Sequence, residues 1–124
     1  MQKFGKKGRL CKKTEIERLF KEGSVIEDTT FTLMWLILEN SQKTPIKFLI
    51  SVPKKNIKAS VSRNKIKRLV REVYRKENTN LENKIIKNNQ QLYLAFIYKK
   101  KEIETFSILE QKIKLLLLRL TKRI

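Results

Sequence analysis

A chain of 124 residues with 30 Lys and Arg against 12 Asp and Glu carries a net charge of +18, a surplus that favours polyanions as partners. The length sets one domain, and 40% apolar content supports one core rather than general disorder. Histidine is absent and Cys11 stands alone, which excludes Ser-His, Cys-His and His-metal sites and any intramolecular disulfide.

In chain order, residues 1–13 read as a flexible basic arm, with no apolar core for a signal peptide. Thr14 and Glu17 form a capping-box pattern ahead of Ile16, Leu19 and Phe20, and Gly23 is a natural stop. These signals place a first helix at roughly 14–22. Phe31 to Leu38 is apolar on both alternating faces, which suits a strand covered on both sides. After a polar loop over 40–45, Lys47 to Val52 reads as a second strand, and a hairpin between the two is the economical connection. Pro53 ends that strand, and Lys54 and Lys55 follow in a loop.

The next segment is the most informative. Ile66, Leu69, Val70, Val73 and Tyr74 recur at helical spacing, while Asn64, Lys67, Arg68, Arg71 and Arg75 fall on the other side. Four arginines lie between 63 and 75, and guanidinium grips phosphate in a planar, bidentate way. The helix therefore docks by one face and presents fixed cations by the other, with Ser60 or Ser62 as its cap and an end near Lys76. Residues 77–91 are polar and Asn-rich, Leu92 to Tyr98 reads as a third main strand, and 105–124 as a helix with a wide buried face. The order is helix, hairpin, basic helix, strand, helix: an α/β sandwich with a small mixed sheet. A single domain over 14–124 follows the arm.

The residues offer binding more readily than catalysis. The only aspartate, Asp28, neighbours Glu27, the other glutamates are scattered, and the three glycines form no phosphate loop. Of the aromatics, Phe20 sits on a helix too short to cover a sheet face, so a groove beside it could admit a single strand of RNA. No apolar run is long enough to span a membrane, and a cytosolic protein is expected.

The run Ile50-Ser51-Val52-Pro53-Lys54-Lys55, then Ala59, then Arg63-Asn64-Lys65-Ile66-Lys67-Arg68-Leu69-Val70-Arg71-Glu72, resembles the signature of the bacterial ribonuclease P protein component. Leu19-Phe20-Lys21-Glu22-Gly23 followed by Phe31-Thr32-Leu33 is similar to that family's first helix and strand. The resemblance implies a small protein that binds a large catalytic RNA and assists endonucleolytic removal of the 5′ leader from precursor tRNA. It implies magnesium ions held mainly by the RNA, two RNA partners (the catalytic RNA and precursor tRNA), no membrane and no obligate protein partner. It also implies a left-handed crossover at the basic helix, against the usual hand. By position, Arg63, Asn64, Lys65, Lys67, Arg68, Arg71 and Arg75 are expected to face the catalytic RNA, and Phe20, Met34, Lys54 and Lys55 the leader. Lys65 stands where the family has a second arginine, Ile16 where many relatives have phenylalanine, and Met34 where some have tyrosine. A ribosomal or other structural RNA-binding protein is the alternative that the charge alone would equally allow.

Overall fold

The computed structural model describes residues 8–39 and 44–124. The elements are α1 (Lys13–Glu22), β1 (Ser24–Glu27), β2 (Phe31–Glu39), β3 (Ile46–Ser51), α2 (Ser60–Glu77), α3 (Thr79–Lys87), β4 (Gln90–Tyr98) and α4 (Phe106–Arg123). The four strands form one sheet in the order β1-β2-β4-β3. The polar loop expected over 40–45 falls largely outside the described residues, as does the arm over 1–7.

The sheet corrects the expected hairpin. β2 and β3 are not neighbours; β4 lies between them, antiparallel to β2 from Phe31↔Tyr98 to Glu39↔Gln90 and parallel to β3 from Ile46↔Leu92 to Ser51↔Ile97. The chain's hairpin is instead β1–β2, turned by Asp28. The Asp28 Oδ1 accepts from the Thr30 and Phe31 amides, each at 2.7 Å, so a short polar side chain satisfies two backbone donors in the turn. Because β4 is central, it is the strand covered on both faces, buried from Gln91 to Phe96, whereas β2 is only half-covered from Met34 to Leu38.

One face of the sheet carries the main core. Phe31 and Leu33 of β2, Phe48 and Ile50 of β3 and Leu94 and Phe96 of β4 meet Ile66, Val70, Val73 and Tyr74 of α2 and Leu109, Ile113, Leu116 and Leu120 of α4. The parallel β3–β4 pair requires a crossover, and α2 with α3 supplies it. The polar segment 77–91 thus contains a helix that its few apolar residues did not announce. Leu81 and Ile85 bury one narrow face of α3, and Lys84 Nζ donates to the Thr121 carbonyl at 2.7 Å. Asn89, at φ 56, turns the chain from α3 into β4, a conformation that asparagine tolerates better than most residues.

The opposite face is covered only in part, by α1 and the segment before it. Leu10, Leu19, Tyr93 and Ala95 form a small buried cluster, flanked by half-buried Ile16, Met34, Leu36, Leu38 and Leu49. The end of the expected flexible arm is therefore packed. Leu10 is 1% exposed, its amide donates to the Phe48 carbonyl at 3.0 Å, and Arg9 bridges Phe48 as a strand would. This docking carries the chain into α1 earlier than the capping-box pattern suggested. Lys12 is the N-cap, no side chain caps the helix, and Thr14 lies inside it. Ala59, likewise, is the N-cap of α2, with neither serine capping.

Candidate nucleic-acid interface

α2 is built as its periodicity dictates. Ile66, Val70, Val73 and Tyr74 are buried and Leu69 half-buried, while Asn64, Lys65, Arg68 and Arg75 are exposed. None of the cations from Arg63 to Arg75 pairs with a carboxylate among the described residues. A row of cations without carboxylate partners on one helix is the kind of surface that phosphates neutralise.

Three members of the row depart from the simple picture of an open face. Arg63 is turned back on its own loop, its Nη1 donating to the carbonyls of Ile57 (3.1 Å) and Lys58 (2.7 Å). It stiffens the approach to α2 as well as adding charge. Lys67 and Arg71 are half-buried and look toward the β3 edge. There they line a cleft of about 230 Å³ with Arg9, Leu10, Cys11, Phe48, Leu49 and Ile50. Loss of solvent, and then the charge of Arg9, push the Arg71 guanidinium below its ordinary value. Arginine still stays protonated at neutral pH, so the cleft holds like charges that an anion would relieve. Arg9 is the residue that sequence reasoning missed. Its basic surroundings were visible, but its bridge to Phe48 was not.

The expected leader residues fall in two places. Phe20 (48% exposed) and the half-buried Met34 belong to α1 and the partly covered sheet face. Leu19 takes the buried position of α1 beside it. Lys54 and Lys55 are exposed in the turn that follows β3. Lys55 lines a second, shallower cleft with Asn56, Ile57, Lys58, Ala59, Ser62, Lys101, Glu102 and Ile103. Tyr98 ties the walls of this cleft together. Its carbonyl accepts from Asn56 Nδ2 at 3.2 Å, and its hydroxyl donates to the Glu102 carbonyl at 2.7 Å and accepts from the Glu104 amide at 3.0 Å.

The neighbouring carboxylates Glu27 and Asp28 are occupied in structural work. Asp28 holds its turn, and Glu27 binds Lys99 (3.0 Å) and Thr32 (3.2 Å), which hold its carboxyl below the usual range. Among the described residues, no three His, Cys, Asp or Glu side chains come together as a metal site. Among the same residues, no helix is long and apolar enough to cross a membrane.

Fold and surface together define a small basic α/β protein with a cationic helix and a half-open sheet face. The ribonuclease P family model matches residues 4–121, and the chain belongs to that family, which supplies the protein component of an endoribonuclease holoenzyme. The ribonuclease P protein component of Porphyromonas gingivalis is 30% identical over 119 residues, covering 94% of this chain and 85% of that protein. That of Chlorobaculum tepidum is 33% identical over 94 residues, 70% of this chain and 61% of the relative's length. Among solved structures, the Thermotoga maritima RNase P protein aligns over 94% of this chain and 96% of its own, with a TM-score of 0.66 and 28% identity. The Staphylococcus aureus RNase P protein shares the fold over 93% and 95% of the two chains, at a TM-score of 0.71 and 22% identity. The family match sets aside the ribosomal-protein alternative.

Proposed function

We propose that this chain is the protein subunit of a cytoplasmic ribonuclease P ribonucleoprotein, and that it binds the catalytic RNA through α2 and the precursor-tRNA leader through the half-open sheet face. The observation that carries the first half is the unpaired cationic row of α2, continued by Arg9 into the cleft beside β3. The second half rests on Phe20, a large aromatic left half-exposed at the edge of a sheet face that α1 covers only in part. A base stacked on such a ring gains on the order of 1–3 kcal/mol, and a cationic surround holds the backbone. Lys54 and Lys55 supply cations of that kind in the loop after β3. Magnesium is assigned to the RNA, because among the described residues no three carboxylates come together to hold it.

The test is reconstitution. The protein alone is expected to leave precursor tRNA intact. Added to a bacterial ribonuclease P RNA, it is expected to restore cleavage at the mature 5′ end at magnesium concentrations where the RNA alone is slow. Cleavage at that site by RNA-free protein, or no effect on the RNA's magnesium requirement, would refute the assignment.

A further inference from the structure

On the half-open sheet face, Glu15 joins three elements. Its Oε2 accepts from Lys47 Nζ of β3 at 2.8 Å and from the Tyr93 hydroxyl of β4 at 3.1 Å. The pair is mostly enclosed, with the Glu15 and Lys47 side chains 15% and 18% exposed. We propose that Glu15, through Lys47 and Tyr93, is a positioning residue that fixes the rotation of α1 and so sets the leader groove beside Phe20. The inference rests on the leader reading above.

Little else holds α1 in place. It meets the sheet through buried Leu19 and half-buried Ile16, and Gly23 ends it against the Trp35 carbonyl. Two neighbouring apolar side chains on a short helix fix its distance from a sheet better than its rotation, because the hydrophobic contact is non-directional. A hydrogen-bonded ion pair is directional. Glu15 and Phe20 are five residues apart, about 140° around the helix, with Ile16 and Leu19 between them. Glu15 therefore pins one flank while Phe20 projects from the other. A rotation of α1 would move the Phe20 ring relative to Met34 and the open face.

Energetics favour a positioning role over a purely stabilising one. Replacing an enclosed ion pair by apolar groups of similar size is often neutral or stabilising. A role in rotation, unlike a role in stability, would not survive that replacement.

The experiment uses holoenzymes reconstituted with a bacterial ribonuclease P RNA. It measures the ratio of precursor affinities for a leader of several nucleotides and a leader of one. Glu15→Leu, Lys47→Met and the double variant are compared with wild type and with Phe20→Ala. The expected result is that the double variant keeps its melting temperature yet loses at least about threefold of the leader-dependent ratio. Each single variant should lose a similar amount, so that the effects do not add, as for groups acting as one unit. Affinity for the catalytic RNA should stay within about twofold, a difference comparable to the scatter of additivity at independent sites. A double variant with an unchanged ratio overturns the inference, and so does a Lys47→Met effect that Glu15→Leu does not share. If Phe20→Ala also leaves the ratio unchanged, the leader reading itself has failed. If Phe20→Ala lowers the ratio and the double variant does not, only the role of Glu15 has.

Discussion

The Phe48 ring of β3 lies flat on the Tyr74 ring of α2, centroids 4.0 Å apart and planes 9° from parallel. This stack joins the sheet to the base of the cationic helix, and Phe96 meets both rings edge-on. The orientation of the row from Arg63 to Arg75 is therefore set by aromatic packing on the reverse side of the same helix. Tyr74 is deeply buried, and burial pushes its phenol well above the ordinary value of 10.0, opposed in part by a hydrogen bond from Asn78. With the folded pKa raised, the unfolded chain releases its proton first. The stability contribution is whole below pH 10 and falls as pH rises further, by about 1.4 kcal/mol per pH unit for one such group. Tyr74→Phe should flatten this alkaline loss relative to wild type in urea melts from pH 9 upward. Parallel curves for the two proteins would show that Tyr74 does not drive the loss.

The two faces of α2 should respond differently to truncation. Ile66 is fully buried, so Ile66→Ala should cost about 2–5 kcal/mol of stability. Arg68 is exposed, and Arg68→Ala should leave the melting temperature nearly unchanged while weakening binding to the catalytic RNA. Thermal melts and a binding titration on the same two variants check this. A less stable Arg68→Ala would mean that the helix is oriented otherwise.

Gly23 ends α1 where no side chain fits. A Cβ there would stand 2.4 Å from the Leu19 carbonyl oxygen, 2.9 Å from Leu19 Cδ1 and 3.1 Å from the Trp35 carbonyl oxygen. Two of these neighbours are backbone, so relief requires α1 to shift against β2. Gly23→Ala should therefore destabilise by about 1–3 kcal/mol, the usual range for overpacking. Chemical denaturation measures it, and a neutral result would mean that the helix end yields freely.

How much of this was legible depended on whether the signal was local. The stripe of α2, from Ile66 to Tyr74, carries its period in the sequence, and so do the aliphatic positions of α4 from Leu109 to Leu120. The pairing of strands carries no such mark. Local economy favours joining β2 to β3, but β4 brings an apolar run that fills the central place, and the burial it gains from both faces decides the order. α3 was obscured because Leu81 and Ile85 are nearly its whole buried face, amid asparagines that read as a loop. In the site, the cations of α2 could be read from their pattern, whereas Phe20, grouped by its spacing with Ile16 and Leu19, is left 48% exposed because Leu19 takes the buried position of the short helix. Arg9 joining Lys67 and Arg71, and Glu15 reaching Lys47 and Tyr93, are long-range meetings that only the fold creates.

Arg9 and Arg71 should act as phosphate ligands of the same cleft. Each neutralised phosphate contributes about 0.7 to 0.9 to the slope of log affinity against log salt. Arg9→Ala and Arg71→Ala should each lower the steepness of that slope for the catalytic RNA by roughly one such increment. Arg71→Lys keeps the charge but loses the planar fork, so it should keep the slope and lose part of the affinity. Because the Arg71 guanidinium is disfavoured by both burial and Arg9, Arg9→Ala should also raise the stability of the free protein slightly at low salt, and this gain should vanish as salt screens the two charges. The decisive comparison is the salt slope of the three variants beside their melting temperatures at low and high salt. A slope unchanged in Arg9→Ala would remove Arg9 from the interface and leave α2 to grip the RNA without it.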